Sequence, residues 1–94
     1  MFEIRLNSEG TARLMGRLDA SEAERALGVL KTLTGSVTLD CSELEYISSA
    51  GLGVLIETHK RLGGDGHELK LINMTSKVRN VLKFAGLDRL LRVE

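Results

Sequence analysis

The chain of 94 residues has one cysteine, no proline and no net charge, with 13 cationic side chains set against 13 acidic ones. A single cysteine, Cys41, excludes an internal disulfide framework and fits a reducing compartment. Charge balance gives no global attraction to nucleic acid or to anionic lipid. No apolar run approaches the roughly 20 residues that a membrane span needs, and "MFEIRLNSEG" reads as no secretory leader. The expectation is a small cytoplasmic domain with neither a membrane nor a nucleic-acid partner. What is present in quantity is apolar residue, at 43 %, enough for one core and one domain over 1–94.

The apolar pattern changes period along the chain. "FEIRL" alternates as a half-buried strand does, Asn7-Ser8-Glu9-Gly10 is turn chemistry, and "TARLMGRLD" alternates again, which together read as a hairpin. "DASEAERALGVLKTL" then places Ala23, Ala26, Leu27, Leu30 and Leu33 on one helical face. Asp19/Glu22 and Ser21/Glu24 both have capping-box spacing, and Gly35 is the expected stop. "SVTLDCS" reads as a buried strand and "SELEYI" as the connection after it. A second helix carries Leu52, Leu55, Ile56, His59 and Leu62, and Gly63-Gly64-Asp65-Gly66 ends it. "HELKLIN" is a further strand. "TSKVRNVLKFAG" is a third helix with Val78, Val81, Leu82 and Ala85 inward, capped by Thr75 or Ser76 and stopped by Gly86. "LDRLLRVE" closes with a helical turn and a last strand. Alternation of strand and helix after a hairpin predicts an α/β fold: a mixed sheet whose later strands are parallel, covered by three or four helices.

Most catalytic constellations are missing. Ser49 has Gly51 two residues after it but Ile47 two before, which breaks the nucleophile-elbow pattern, and His59 lies about three turns down the same helix. Gly51-Leu52-Gly53 would need a third glycine where Ile56 stands, and no Gly-Lys-Ser/Thr occurs. No Cys/His cluster has zinc spacing. Asp19, Asp40, Glu43 and Glu45 are carboxylates suited to capping and solvation, and His59-Lys60-Arg61 and His67 to surface positions. The expectation is therefore no enzyme, no cofactor and no metal.

The stretch that resists a bland reading is "EYISSAGLGVLIETHKRL". A helix that opens with two serines and two glycines starts poorly, since glycine costs about 1 kcal/mol against alanine. Ser48 or Ser49 can cap it. Small residues leave the helix end bare for a docking partner, or else the glycines pack against a neighbouring strand. Composition leaves both readings open.

"LDCSELEYISSAGLGVLIETHKRL" resembles the central motif of the anti-sigma factor antagonists, the founding group of the STAS domains. "MGRLDASEAERA" resembles the Gly-x-Leu-Asp and following helix of that family, and "LKLINMTSKVRNVLKFAGLDRLLRV" its closing strand, helix and Gly-Leu segment. The resemblance implies a STAS-type sheet and a phosphoprotein that regulates transcription by partner switching. Unmodified, it would bind a serine-kinase anti-sigma factor and release a sigma factor; the kinase would phosphorylate it, and a phosphatase would reset it. Alignment on Ala50-Gly51-Leu52-Gly53 puts the phosphoacceptor at Ser49, with Ser48 the second choice. It implies a partner surface of Asp19, Ser48, Ser49, Ala50, Gly51, Leu52 and Gly53. Ser48 stands where the family has an aspartate. STAS domains also serve as docking subunits that are not phosphorylated, for instance on a lipid-transport ATPase, which is the alternative role.

Overall fold

The structure is a computed structural model, and it describes residues 1–7 and 10–94. The expected turn at 7–10 includes Ser8 and Glu9, which lie outside the described residues; Asn7 N–H closes it onto the Thr11 carbonyl at 2.8 Å. Strands β1 (Phe2–Leu6) and β2 (Thr11–Leu18) pair antiparallel, with Phe2 opposite Gly16 and Leu6 opposite Ala12. Helix α1 (Ala20–Leu30), strand β3 (Val37–Ile47), helix α2 (Ser49–Gly64), strand β4 (Leu69–Ile72), helix α3 (Ser76–Phe84) and strand β5 (Arg92–Val93) follow. The five strands lie in chain order across one sheet, and every pairing after the first is parallel. This is the mixed α/β sheet that the pattern predicts, with three helices among the described residues where three or four are expected.

Burial follows the period of each element. Ala12, Leu14 and Leu18 of β2, Val37, Leu39 and Cys41 of β3, and Leu69 and Leu71 of β4 are buried, on the sheet side that α1 and α2 cover. The alternate positions carry charge: Arg13 reaches Asp40 and Glu43, and Arg92 reaches Glu68 and Glu94. Helices α1 and α2 pack side by side. Arg61 of α2 donates to the carbonyls of Leu30 and Leu33, at 2.9 and 3.3 Å, and so ties α2 to the end of α1, where the Leu30 carbonyl also accepts the Leu33 N–H at 3.0 Å.

Several boundaries differ from expectation. "SELEYI" is not a connection but the second half of β3, which runs unbroken to Ile47. Between Arg13 and Met15, and again between Gly16 and Arg17, β3 inserts one residue more than β2. Two such bulges break the alternation of Ser42-Glu43-Leu44-Glu45 and make a strand look like a loop. Helix α1 ends at Leu30, short of Gly35, where Lys31 N–H bonds back to Leu27. Ala85 is exposed rather than inward, because α3 ends at Phe84 and Ala85 is its cap residue.

Candidate functional site

Strands β2 and β3 end together. Leu18 and Ile47 are register partners, so the next residues, Asp19 and Ser48, leave the sheet side by side, about 5 Å apart at the usual strand spacing. Each then caps a helix. Asp19 accepts from the Ser21 N–H at 3.1 Å and from the Ser21 hydroxyl at 2.7 Å, opening α1. Ser48 accepts from the Gly51 N–H at 3.2 Å, opening α2. Two helix N-termini, each with a positive dipole end, thus face the same edge of the molecule.

The cap assignment settles which serine does what locally. Ser48 is half-buried and its Oγ holds the first turn, while Ser49, the first helical residue, is exposed and lies outside that bond. Ala50 and Gly53 are exposed beside it, whereas Leu52 is in the core. The backbone N–H groups of Ser49 and Ala50 head the helix, where intrahelical acceptors do not reach.

The two glycines have different tasks. Gly53 faces open space, with no atom within 4 Å of where a Cβ would sit. Gly51 is buried, and a Cβ there would lie 2.7 Å from both the Leu18 carbonyl oxygen and Ile47 Cγ1. Placing Gly51 on a bare docking surface is therefore corrected: its missing side chain lets α2 approach the end of β2. The Ser48 N–H donates to the same Leu18 oxygen at 2.9 Å, which pins the turn from the other side.

The charges around this edge are also redistributed. Because β3 is extended to Ile47, Asp40 lies roughly 25 Å along the strand from Ser48. Asp40 accepts from the Ser42 N–H at 3.0 Å and pairs with Arg13, and these contacts hold its carboxyl below the ordinary aspartate range. Asp19 is the carboxylate adjacent to Ser48; the Ser21 hydroxyl holds its pKa low. Sequence reasoning missed Arg17, whose guanidinium stacks 4.2 Å from the Tyr46 ring one step back from Leu18 and Ile47. Alternation marks Arg17 as outward, but nothing in the sequence pairs it with Tyr46. Among the described residues no group of three His, Cys, Asp or Glu side chains is placed to hold a metal ion. Burial pushes the Cys41 thiol up to about 12, so it stays protonated and unreactive. No described helix is long and apolar enough to cross a membrane.

A family model described as "Mlab, STAS domain" matches residues 4–92. TM1081 of Thermotoga maritima shares 24 % identity over 98 % of this chain and 84 % of its own, with a TM-score of 0.80. An anti-sigma factor antagonist from Mycobacterium paratuberculosis is 22 % identical over 99 % of this chain and 83 % of its own, at 0.73. The Bacillus cell fate determinant SpoIIAA, in its phosphorylated form, is 19 % identical over 100 % and 91 %, at 0.72. At these identities the structures share the fold.

Gly51→Ala is expected to cost about 1–3 kcal/mol in urea unfolding, since backbone must move to admit the methyl group. Gly53→Ala should gain about 0.5–1 kcal/mol through helix propensity. Equal and small effects at both positions would contradict the packing assigned to Gly51.

Asp19 supports a pH test. Its folded pKa is depressed, so its contribution is present above its unfolded pKa and is lost as pH falls through the folded value. Asn caps as well as Asp. Asp19→Asn should therefore melt like the parent near neutrality and show a shallower loss of stability below about pH 4. Parallel melting curves across that range would remove Asp19 from the acid limb.

Proposed function

The chain belongs to the STAS domain family, and on that footing we propose that it is an anti-sigma factor antagonist switched by phosphorylation of Ser49. The observation that carries this reading is the division of labour between the serines. Ser48 is committed to the helix cap, while Ser49 is exposed at the first helical position beside Ala50 and Gly53. A kinase can approach such a hydroxyl without displacing a bulky neighbour.

The proposed cycle follows from charge. Unmodified, the face of Ser49, Ala50 and Gly53, flanked by Asp19 and Ser48, docks on a serine-kinase anti-sigma factor and releases a sigma factor. Gly51 and Leu52 support that face from within. The kinase supplies ATP and transfers its γ-phosphoryl group to the Ser49 oxygen; the P–O bond to ADP breaks, and the hydroxyl proton is lost. The product carries about −1.5 to −2 charges. On its own helix end the phosphate is favourably placed, near free N–H groups and the dipole. At a close protein contact it must be desolvated, and the neighbouring Asp19 carboxylate adds repulsion. The complex therefore dissociates while the fold persists. A phosphatase restores the hydroxyl.

One substitution against the family pattern shapes this cycle. Ser48 replaces the aspartate that precedes the acceptor, and it supplies the cap without the charge. Together with a family model described by the word "Mlab", this favours a second reading, in which the same helix end is a permanent docking face. The partner would then be another subunit of an assembly, such as a lipid-transport ATPase, and no phosphate would be added.

Incubation with a serine kinase encoded beside the gene, followed by mass spectrometry of the peptide covering Ser48 and Ser49, separates the two. Ser49→Ala should abolish modification and keep the kinase bound. Ser49→Asp should weaken binding at least about tenfold, though one charge imitates a phosphate poorly. Ser48→Ala should lose about 1 kcal/mol of stability as a cap and still be modified. Phosphate on Ser48 alone, or on the Ser49→Ala variant, would contradict the assignment. No modification, combined with co-purification of a transporter ATPase, would establish the static role.

A further inference from the structure

The charges of this chain cancel in sum but not in space. Residues 75–93 contain Lys77, Arg79, Lys83, Arg89 and Arg92 against Asp88 alone. Arg92 is held by Glu68 and Glu94. The other four cations are exposed, and none takes part in the ion pairs found among the described residues. Phe84 stands among them with 93 % of its surface exposed, and Leu90 follows at 47 %. Beside them lies a hollow of about 320 Å³ bounded by Arg79, Lys83 and Asp88, with Leu82 and Val93 as its apolar lining.

This surface is separate from the Ser49 edge. The strands from β2 onward run parallel and the helices return against them, so the end of α3 lies toward the opposite end of the sheet from the start of α2. We propose that α3 and the segment after it form a second docking surface, which takes an acidic segment of a protein partner carrying Leu or Phe between its carboxylates. Charge complementarity sets the sign of the partner. The lined hollow and the exposed Phe84 ring set its second requirement, an apolar side chain to bury between the cations. A duplex offers the charge with its bases stacked inside, a bilayer surface does not enter a hollow, and a single strand, whose bases stack on exposed aromatic rings, is the competing ligand that the test includes. A helix of nine residues also gives a strip only about 13 Å long, which suits a short peptide segment.

The test uses fluorescence anisotropy with the full chain and a labelled synthetic peptide of Asp and Glu interspersed with Leu and Phe. The controls are the same peptide with Ser at the apolar positions, a single-stranded DNA oligonucleotide, and vesicles of phosphatidylglycerol and phosphatidylcholine. The apolar-acidic peptide should bind, and replacing its Leu and Phe with Ser should weaken it about tenfold. The double variant Arg79→Glu/Lys83→Glu should lose at least about tenfold, Phe84→Ser should weaken binding in the same direction, and Ser49→Asp should leave it unchanged. All substituted positions are exposed, and thermal melts establish that each variant is folded. Failure of the peptide to bind overturns the proposal. So do equal binding of the Ser-substituted peptide, an unaltered Arg79→Glu/Lys83→Glu variant, and tighter binding of DNA or vesicles.

Discussion

The carbonyl oxygen of Leu18 is the point on which the functional edge depends. It ends β2, accepts the Ser48 N–H at 2.9 Å, and stands 2.7 Å from where a Gly51 side chain would begin. That one acceptor ties the last residue before α2 to the neighbouring strand and sets how closely the first turn approaches. Once the turn is held there, Ser48 can only cap and Ser49 can only face outward. Asp19, the residue after Leu18, is fixed beside them by the same register. The turn is held by hydrogen bonds and by the close approach that the bare glycine allows. Such an edge suits a switch that works by adding charge to a fixed surface, because nothing in it needs to refold.

The distribution of charge separates this edge from the rest of the molecule. The carboxylates of Asp40 and Glu43 are tied to Arg13 on the polar side of the sheet, well upstream of Ser48. They stabilise that side and lie too far back to sense a phosphate at Ser49 through a Debye length of about 8–10 Å. Asp19 is the carboxylate next to Ser48, with Glu22 in the first turn of α1 and Arg17 stacked on Tyr46 behind it. Lys77, Arg79 and Lys83, which take part in no ion pair among the described residues, lie together on α3. A chain of zero net charge thus carries two unlike surfaces, a small bare helix start and a basic, aromatic helix face.

Much of this was legible in the sequence because local chemistry decides it. The hairpin and the helices follow from period, and the caps follow to within two residues: of Asp19 or Ser21, Ser48 or Ser49, and Thr75 or Ser76, the structure assigns Asp19, Ser48 and Thr75, each of which accepts a bond from its own first turn. The family resemblance points to Ser49 and Asp19, and the adjacent ends of β2 and β3 put Asp19 beside Ser48, the cap that precedes Ser49. What could not be read depended on distant partners. The second half of β3 hides because two bulges against β2 scramble its alternation. Gly51 and Gly53 are indistinguishable in "AGLG", and only the approach of Leu18, 33 positions earlier, makes one internal and the other external. Ala85 seemed inward by spacing, but the helix stops one residue before it.

In the proposed cycle a phosphate on Ser49 changes what the edge can bind without changing the fold that presents it. Backbone amide chemical shifts test this directly, comparing the unmodified chain with one in which phosphoserine is incorporated at position 49 during synthesis. Changes should be confined to the amides of Leu18 to Ser21 and Ser48 to Gly53, with the amides of β4, α3 and β5 in place. Shifts spread through Leu39, Leu55 and Leu71 in the core would mean that the phosphate acts by rearranging the fold, and would contradict it.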